Sequence, residues 1–238
     1  MKPSSSIRSQ IPNCITLCNL MCGVLATYFA TTHHYEKAAL FILFGILFDF
    51  FDGLTARLLK TSSPLGRELD SLADVVTSGV APGTILFQII GCSVLPWLRY
   101  AALLIPAFAA YRLAKFNLDE RQHQSFLGLP APANAIIWVG IGLYQYLHII
   151  EPYNNKILII IIILLSILTN ILMVSEIPMF SLKFDFKDLS WKTNKIQYIF
   201  IIGCILMIVT LQIKCISLTV LWYIILSLLT QHKNTTHE

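Results

Sequence analysis

Four aspartates stand at two regular spacings in the N-terminal third of the chain. Asp49 and Asp52 follow the apolar run 41–48, and Asp70 and Asp74 come after a short polar stretch. A carboxylate in the middle of a membrane-spanning helix costs about 2.5–3.5 kcal/mol on insertion scales. Four uncompensated carboxylates would therefore cost on the order of 10 kcal/mol, which is comparable with the stability of a whole domain. The chain must compensate these charges.

Divalent metal ions are the compensation that the spacing favours. On a helix, Asp49 and Asp52 share one face, and Asp70 and Asp74 are one turn apart on the next helix. Two neighbouring helices can therefore present all four carboxylates to one cavity. Such oxygen ligands favour Mg²⁺ or Mn²⁺, with Ca²⁺ as a third candidate. Two ions about 3.5–4 Å apart can clamp the attacking and leaving oxygens of a phosphoryl displacement. We predict a two-metal site of this kind.

The residues between the two pairs suit a ligand that contains phosphate. Gly53 and Ala56 leave space beside the acids, and Arg57 offers a planar guanidinium that can bind phosphate through two hydrogen bonds. Gly66, just before the second pair, also permits the close approach of a ligand.

The elements that carry these residues must be membrane helices. Of the 238 residues, 56% are hydrophobic and 13% are charged, and the mean hydropathy is +0.70, which is outside the range of soluble proteins. Apolar segments near the length needed to cross a bilayer recur along the chain. We predict an all-α integral membrane protein, a single membrane domain over residues 1–238 with about eight transmembrane helices. Their predicted limits are roughly 13–31, 38–58, 70–91, 97–116, 133–150, 156–174, 197–211 and 215–231.

The distribution of basic residues predicts the orientation. Most of the 17 Lys and Arg residues fall in segments that share one side of the membrane if the N-terminus is cytoplasmic. We therefore expect both termini and the aspartates at the cytoplasmic face, in a bacterial inner membrane. The net charge of +4 fits attraction to anionic lipid headgroups. No basic cluster is interleaved with aromatic residues, so we expect no nucleic-acid partner.

The aspartate motif resembles that of a known enzyme family. Asp49-x2-Asp52-Gly53-x2-Ala56-Arg57-x8-Gly66-x3-Asp70-x3-Asp74 matches the defining motif of the CDP-alcohol phosphatidyltransferases. The resemblance implies a membrane enzyme with a six-helix catalytic core that displaces CMP from a CDP-linked lipid or alcohol, and it makes a homodimer plausible. By position, it makes Asp49, Asp52, Asp70 and Asp74 metal ligands, Asp74 also the catalytic base, and Gly53, Ala56, Arg57 and Gly66 the lining of the CDP site.

Further segments resemble the phosphatidylserine synthase branch of this family. They lie at 12–23, 69–82, 112–117 and 126–132, so the resemblance covers residues 12–135. It implies CDP-diacylglycerol and L-serine as substrates, with phosphatidylserine and CMP as products. Two helices within 195–232 are then additional to the core. Ser78 and Lys115 depart from the branch, which usually has a bulky aromatic residue at the first position and often arginine at the second.

Three polar residues outside the motif have alternative interpretations. Arg112 and Lys115, at the cytoplasmic end of the predicted fourth helix, bind the carboxylate of serine or simply anchor the helix at the membrane surface. Asn19 reaches the CDP nucleotide or bonds a neighbouring helix.

Two other functions compete with this prediction. The same transfer could use choline, inositol or glycerol 3-phosphate as acceptor. A cation-coupled transporter would also place acids within membrane helices, but it predicts inverted repeats. The half of the chain after residue 135 has no intramembrane acid to mirror the first half.

Overall fold

The computed structural model describes residues 7–61, 63–118, 126–149, 155–180, 194–212 and 215–234. Helices dominate these ranges, so the predicted all-α class is confirmed. The helices are α1 (Ile7–Thr31), α2 (Tyr35–Leu58), α3 (Pro64–Asp74), a π-helical turn (Val75–Val80), α4 (Ala81–Gly91), a 3-10 helix (Pro96–Leu103), α5 (Leu104–Leu118), α6 (Ala131–Tyr146), α7 (Lys156–Val174), α8 (Lys195–Leu211) and α9 (Cys215–Asn234).

Each predicted span corresponds to a helical segment. Four segments among the described residues are long and apolar enough to cross a membrane: Gln10–Thr31, Tyr35–Leu58, Pro64–Gly91 and Lys156–Val174. The third of these joins α3, the π-helical turn and α4 into one segment, and the fourth predicted span begins as the 3-10 helix before continuing as α5.

The third segment begins at Pro64, whereas hydropathy predicted a start near residue 70. The side chain of Ser63 caps it by accepting a hydrogen bond from the Gly66 backbone N–H (2.9 Å), and Pro64 occupies the first helical position. This is a typical helix start, but the polar pair Arg67 and Glu68 hides it from a hydropathy search. As a consequence, Gly66 lies in the first turn of α3 and Asp70 lies in the middle of the helix.

The core lies where α1, α2, α4, α5 and α6 meet. Small residues such as Ala26, Ala30 and Ala38 are fully buried and let the helix backbones approach closely. Ile85 and Trp138 are also fully buried and fill the space between the helices. In contrast, none of the described residues of α8 is buried, and this helix packs mainly on α9. A helix that is apolar all round and exposed in this way suits contact with lipid.

A short ribbon, which the sequence did not predict, ties the loop before α6 to the end of α7. Strand β1 (Phe126–Leu127) pairs antiparallel with β2 (Pro178–Met179). The Gly128 N–H donates to the carbonyl of Ile177 (2.8 Å), and the Leu129 N–H donates to that of Leu172 (3.0 Å). Strands of two residues have no periodicity that a sequence search could detect.

Gly128 allows this ribbon to form, so its replacement should destabilise the protein. Its φ is +75°, and a Cβ there would lie 2.7 Å from the carbonyl oxygen of Met173. We expect Gly128→Ala to lose at least about 1 kcal/mol of stability, a fall in apparent Tm of about 2–4 °C or more, measured by thermal unfolding in detergent. Gly91→Ala is the matched control because a Cβ there would meet its nearest atom at 3.4 Å. Equal Tm values for the two variants would contradict the stabilising role of Gly128 in the ribbon.

Candidate active site

Three of the four predicted aspartates converge on one point. Asp49 from α2 and Asp70 and Asp74 from α3 each offer a carboxylate oxygen, and these oxygens all lie within 4.8 Å of one another. Asp74 is buried, with 8% of its surface exposed, and the other two are partly buried. Carboxylates this close repel one another unless a cation or protons neutralise them. The oxygen donors fit a hard divalent cation such as Mg²⁺, Mn²⁺ or Ca²⁺.

Asp52 lies beside this cluster rather than within it. Its carboxylate accepts a hydrogen bond of 2.6 Å from the hydroxyl of Thr16 on α1, and its side chain is buried. Asp52 and Asp70 both line an adjoining cavity. Asp52 therefore connects the carboxylate cluster with the space in which a ligand could bind.

The adjoining cavity lies between α1, α2 and the start of α3 and has a volume of about 210 Å³. Three of the residues predicted to line the CDP site, Gly53, Ala56 and Gly66, do line it. A Cβ at Gly66 would lie 3.0 Å from Asn13 Oδ1 and 3.0 Å from Ser63 Oγ, so glycine keeps this side of the cavity open. The full lining is Pro12, Asn13, Thr16, Asp52, Gly53, Ala56, Thr61, Ser63, Gly66, Arg67 and Asp70.

Arg67 is a cavity residue that the sequence interpretation missed. Once α3 is known to begin at Pro64, the residues Gly66, Arg67, Asp70 and Asp74 fall on adjoining positions of one helix face. The helix start signal at Ser63 and Pro64 was the clue to this face. Because α3 begins at the cavity, the positive end of its dipole also favours an anionic ligand there.

Arg57 is not among the residues that line the cavity. Its Nε donates to the carbonyl of Gly53 (3.0 Å), and the side chain is exposed. The guanidinium thus lies against a cavity residue, and this hydrogen bond uses only its Nε. Phosphate binding by Arg57 stays a prediction.

Asn19 contacts the carboxylate cluster from α1. Its Nδ2 donates to Asp74 Oδ1 (3.1 Å), and its Oδ1 accepts a hydrogen bond of 2.7 Å from the hydroxyl of Thr77. Asn19 is fully buried. These contacts match the alternative in which Asn19 bonds a neighbouring helix, and its contact with the nucleotide stays a prediction.

The two predicted acceptor-binding cations have different surroundings. Arg112 is buried and lies within electrostatic range of Asp74. Its Nε is buried without a hydrogen-bond partner among the described residues. Lys115 is half-buried and forms an ion pair with Glu176 across 3.3 Å. Of the two, Arg112 is the cation that interacts electrostatically with Asp74, and Lys115 ties the end of α5 to the segment after α7.

The chain matches the family model described as CDP-alcohol phosphatidyltransferase over residues 9–181. It is 42% identical over 123 residues to the CDP-diacylglycerol–serine O-phosphatidyltransferase of Bacillus subtilis, an alignment that covers 51% of this chain and 69% of that protein. It is 32% identical over 185 residues to the enzyme of the same name from Helicobacter pylori, covering 76% of this chain and 74% of that protein. The yeast Saccharomyces cerevisiae enzyme of that name is 38% identical over 119 residues, or 46% of this chain and 42% of that protein.

Carboxylates gathered beside a ligand-sized cavity in a helical membrane protein agree with this match, and the chain belongs to the CDP-alcohol phosphatidyltransferase family.

Proposed function

We propose that this protein transfers the phosphatidyl group from CDP-diacylglycerol to the hydroxyl of L-serine, giving phosphatidylserine and CMP. The observation that carries the proposal is the convergence of Asp49, Asp70 and Asp74 within 4.8 Å beside the cavity. The names of the relatives in Bacillus subtilis and Helicobacter pylori support serine as the acceptor. Because the chain belongs to this enzyme family, we interpret the buried acids as part of an active site and not as part of a cation-coupled transporter.

The cavity suits the CDP part of the lipid substrate. Gly53, Ala56 and Gly66 leave room for the nucleotide, and Arg67 supplies positive charge for the diphosphate. Arg57 is held against Gly53 by its Nε hydrogen bond, and its remaining N–H groups can bind phosphate. The Thr61 hydroxyl, which has no hydrogen-bond partner among the described residues, and the amide of Asn13 can bond the ribose and the base.

The carboxylates suit a pair of divalent ions. We infer that Asp49, Asp52, Asp70 and Asp74 hold two Mg²⁺ or Mn²⁺ ions, with Ca²⁺ as a third candidate. Such ions, when bound, neutralise charge on the diphosphate and on the departing CMP. Thr16 keeps the Asp52 carboxylate in a fixed orientation through its 2.6 Å hydrogen bond.

Asp74 is the proposed catalytic base. It accepts the proton of the serine hydroxyl while that oxygen attacks the phosphorus linked to diacylglycerol, and the bond from this phosphorus to the CMP oxygen breaks. The Asn19 amide donates to Oδ1 of Asp74, so the other carboxylate oxygen remains available. Burial of Asp74 keeps bulk water from competing with serine as the nucleophile.

Arg112 is the proposed partner of the serine carboxylate. Its buried Nε has no hydrogen bond within the described chain, and a buried guanidinium without such a bond favours an anionic ligand. Lys115 contributes less directly, since its ammonium already pairs with Glu176.

The proposal also covers the location of the enzyme and its assembly. We infer that it is an integral protein of a bacterial inner membrane, with both termini and the active site at the cytoplasmic face, where serine and CDP-diacylglycerol meet. Membrane lipids contact its exposed apolar surface. A homodimer is the assembly that the family suggests. The six-helix core holds the catalytic residues, and α8 and α9 are additional to it.

The acceptor is tested by comparing alcohols with the purified enzyme. We expect CMP release from CDP-diacylglycerol with L-serine in the presence of Mg²⁺ or Mn²⁺, and less than about a tenth of that rate with choline, inositol or glycerol 3-phosphate. For choline and inositol, which carry no anionic group, the expected ratio follows from loss of a charge-assisted hydrogen bond to Arg112, about 1.5–3 kcal/mol; for glycerol 3-phosphate it follows from the different shape of a tetrahedral phosphate and a planar carboxylate. Faster release with any of the other alcohols would overturn serine as the acceptor.

The role of Asp74 as base is tested by Asp74→Asn. We expect the rate of transfer to fall by about 10²–10⁴-fold, while binding of CDP-diacylglycerol, measured with a radiolabelled lipid, is largely retained. Glu68→Gln is the matched control because Glu68 lies on the exposed side of the same helix, and its rate should stay near that of the wild type. Wild-type turnover in Asp74→Asn would contradict the assignment.

The roles of Arg112 and Lys115 are distinguished by how their substitution changes the KM for serine. Arg112→Gln should raise this KM by about tenfold or more, because it removes a charged hydrogen-bond donor from a buried position. Lys115→Gln should change it less than about threefold, since half-exposed ion pairs contribute little. Binding of CDP-diacylglycerol reports whether each variant is folded. Equal KM values for the two variants would refute the distinction.

A further inference from the structure

Thr77, which the proposed mechanism does not use, lies directly behind the catalytic aspartate. It belongs to the π-helical turn Val75–Val80, which begins immediately after Asp74. Its side chain is 1% exposed. Its hydroxyl donates to Asn19 Oδ1 (2.7 Å) and lies 3.1 Å from the backbone oxygen of Asn19. Wide π-helical turns within α-helices often occur at functional sites.

Two glycines on neighbouring helices make room for Thr77. A Cβ at Gly23 on α1 would lie 2.5 Å from Thr77 Oγ1. A Cβ at Gly45 on α2 would overlap the methyl group of Thr77 and would lie 2.9 Å from Asn19 Oδ1. Three membrane helices therefore meet at this threonine, and both glycines permit the close approach that its hydrogen bonds require.

The hydroxyl of Thr77 determines which end of the Asn19 amide faces Asp74. An asparagine side chain has an acceptor, Oδ1, and a donor, Nδ2. Because Thr77 donates to Oδ1, Nδ2 points to Asp74 Oδ1 at 3.1 Å. In the reversed orientation, two oxygens would face each other across this gap, and the carboxylate would lose its donor.

We propose that Thr77 is a positioning residue, which acts through the Asn19 amide to hold the Asp74 carboxylate in the orientation that catalysis and metal binding need. The carboxylate that Asn19 holds is the same one that offers an oxygen to the cluster with Asp49 and Asp70. This inference rests on the proposed function, because Asp74 is the catalytic base only under that proposal. The hydrogen bonds among Thr77, Asn19 and Asp74 do not depend on it.

The kinetic test compares variants that keep or remove the hydroxyl. Thr77→Val should lower kcat for CMP release by about 10–100-fold, while the KM for CDP-diacylglycerol stays within about twofold, because the lost bond lies behind the reacting carboxylate. Thr77→Ser should restore kcat to within about threefold of the wild type. Thr84→Val is the matched control, since the Thr84 hydroxyl donates to the carbonyl of Val80, one turn earlier in the same helical segment (2.8 Å), and not to Asn19.

A double-mutant cycle tests whether Thr77 acts through Asn19. Adding Thr77→Val to Asn19→Ala should change kcat by less than about twofold, since the intermediary is already absent. A further tenfold loss in the double variant would show that Thr77 acts independently of Asn19 and would overturn the proposal. If Thr77→Val does not fold, Thr77→Ala removes the same hydroxyl without placing an additional methyl group beside Gly23 and Gly45.

Binding of Mn²⁺ supplies a readout that does not need the acceptor. In the purified protein, EPR titration should show Mn²⁺ affinity about fivefold weaker or more in Thr77→Val and within about twofold of the wild type in Thr77→Ser. Equal Mn²⁺ affinities in the two variants would overturn the positioning role. Failure of wild-type enzyme to use L-serine would instead refute the proposed acceptor, so the two failures remain distinct.

Discussion

The mutual repulsion of carboxylates inside an apolar helix bundle is the constraint on which the rest of this structure depends. Asp49, Asp70 and Asp74 bring their oxygens within 4.8 Å of one another, an arrangement that is costly without neutralising charge. Helix α1 lowers part of this cost by donating hydrogen bonds from Thr16 to Asp52 and from Asn19 to Asp74. These donors explain why α1 must pack closely on α2 and α3, and small residues at the contacts allow it to do so. The negative charge that these hydrogen bonds do not offset can be neutralised by bound cations.

The molecule has a polar site, which suits contact with water, and an apolar surface, which suits contact with lipid. The cavity and the carboxylates lie along the last turns of α2 and along α3. Large apolar side chains elsewhere, such as Leu40 on α2 and Val209 on α8, are exposed, as lipid-facing residues are. A CDP-linked lipid has the same division, because its acyl chains need the apolar surface and its diphosphate needs the polar end. The geometry therefore suits a substrate that enters from the membrane.

The sequence predicted the helices well and the details of the site less completely. Each of the eight predicted spans falls on a helical segment, because long apolar runs are a strong signal of a helix, and four of the described segments are long and apolar enough to cross a membrane. The start of α3 was placed too late, since Arg67 and Glu68 lower the hydropathy of its first turns, and Arg67 was missed as a cavity residue for that reason. Strands β1 and β2 were missed because pairing between residues 126–127 and 178–179 is not local. Thr77 was overlooked because a buried threonine in an apolar helix carries no signal of its own.

The sequence by itself determined the class of the protein, the identity of the four acids and the chemistry that their spacing allows, since these depend on local composition and helical periodicity. Only the tertiary structure decided which carboxylates meet and that Asp52 accepts a hydrogen bond from Thr16 instead of joining the closest cluster. It also decided that Lys115 pairs with Glu176, while the Nε of buried Arg112 has no hydrogen-bond partner among the described residues. The contact from Asn19 to Asp74 joins residues 55 positions apart. Such contacts follow from how the helices pack against one another, and no local pattern in the chain encodes that packing.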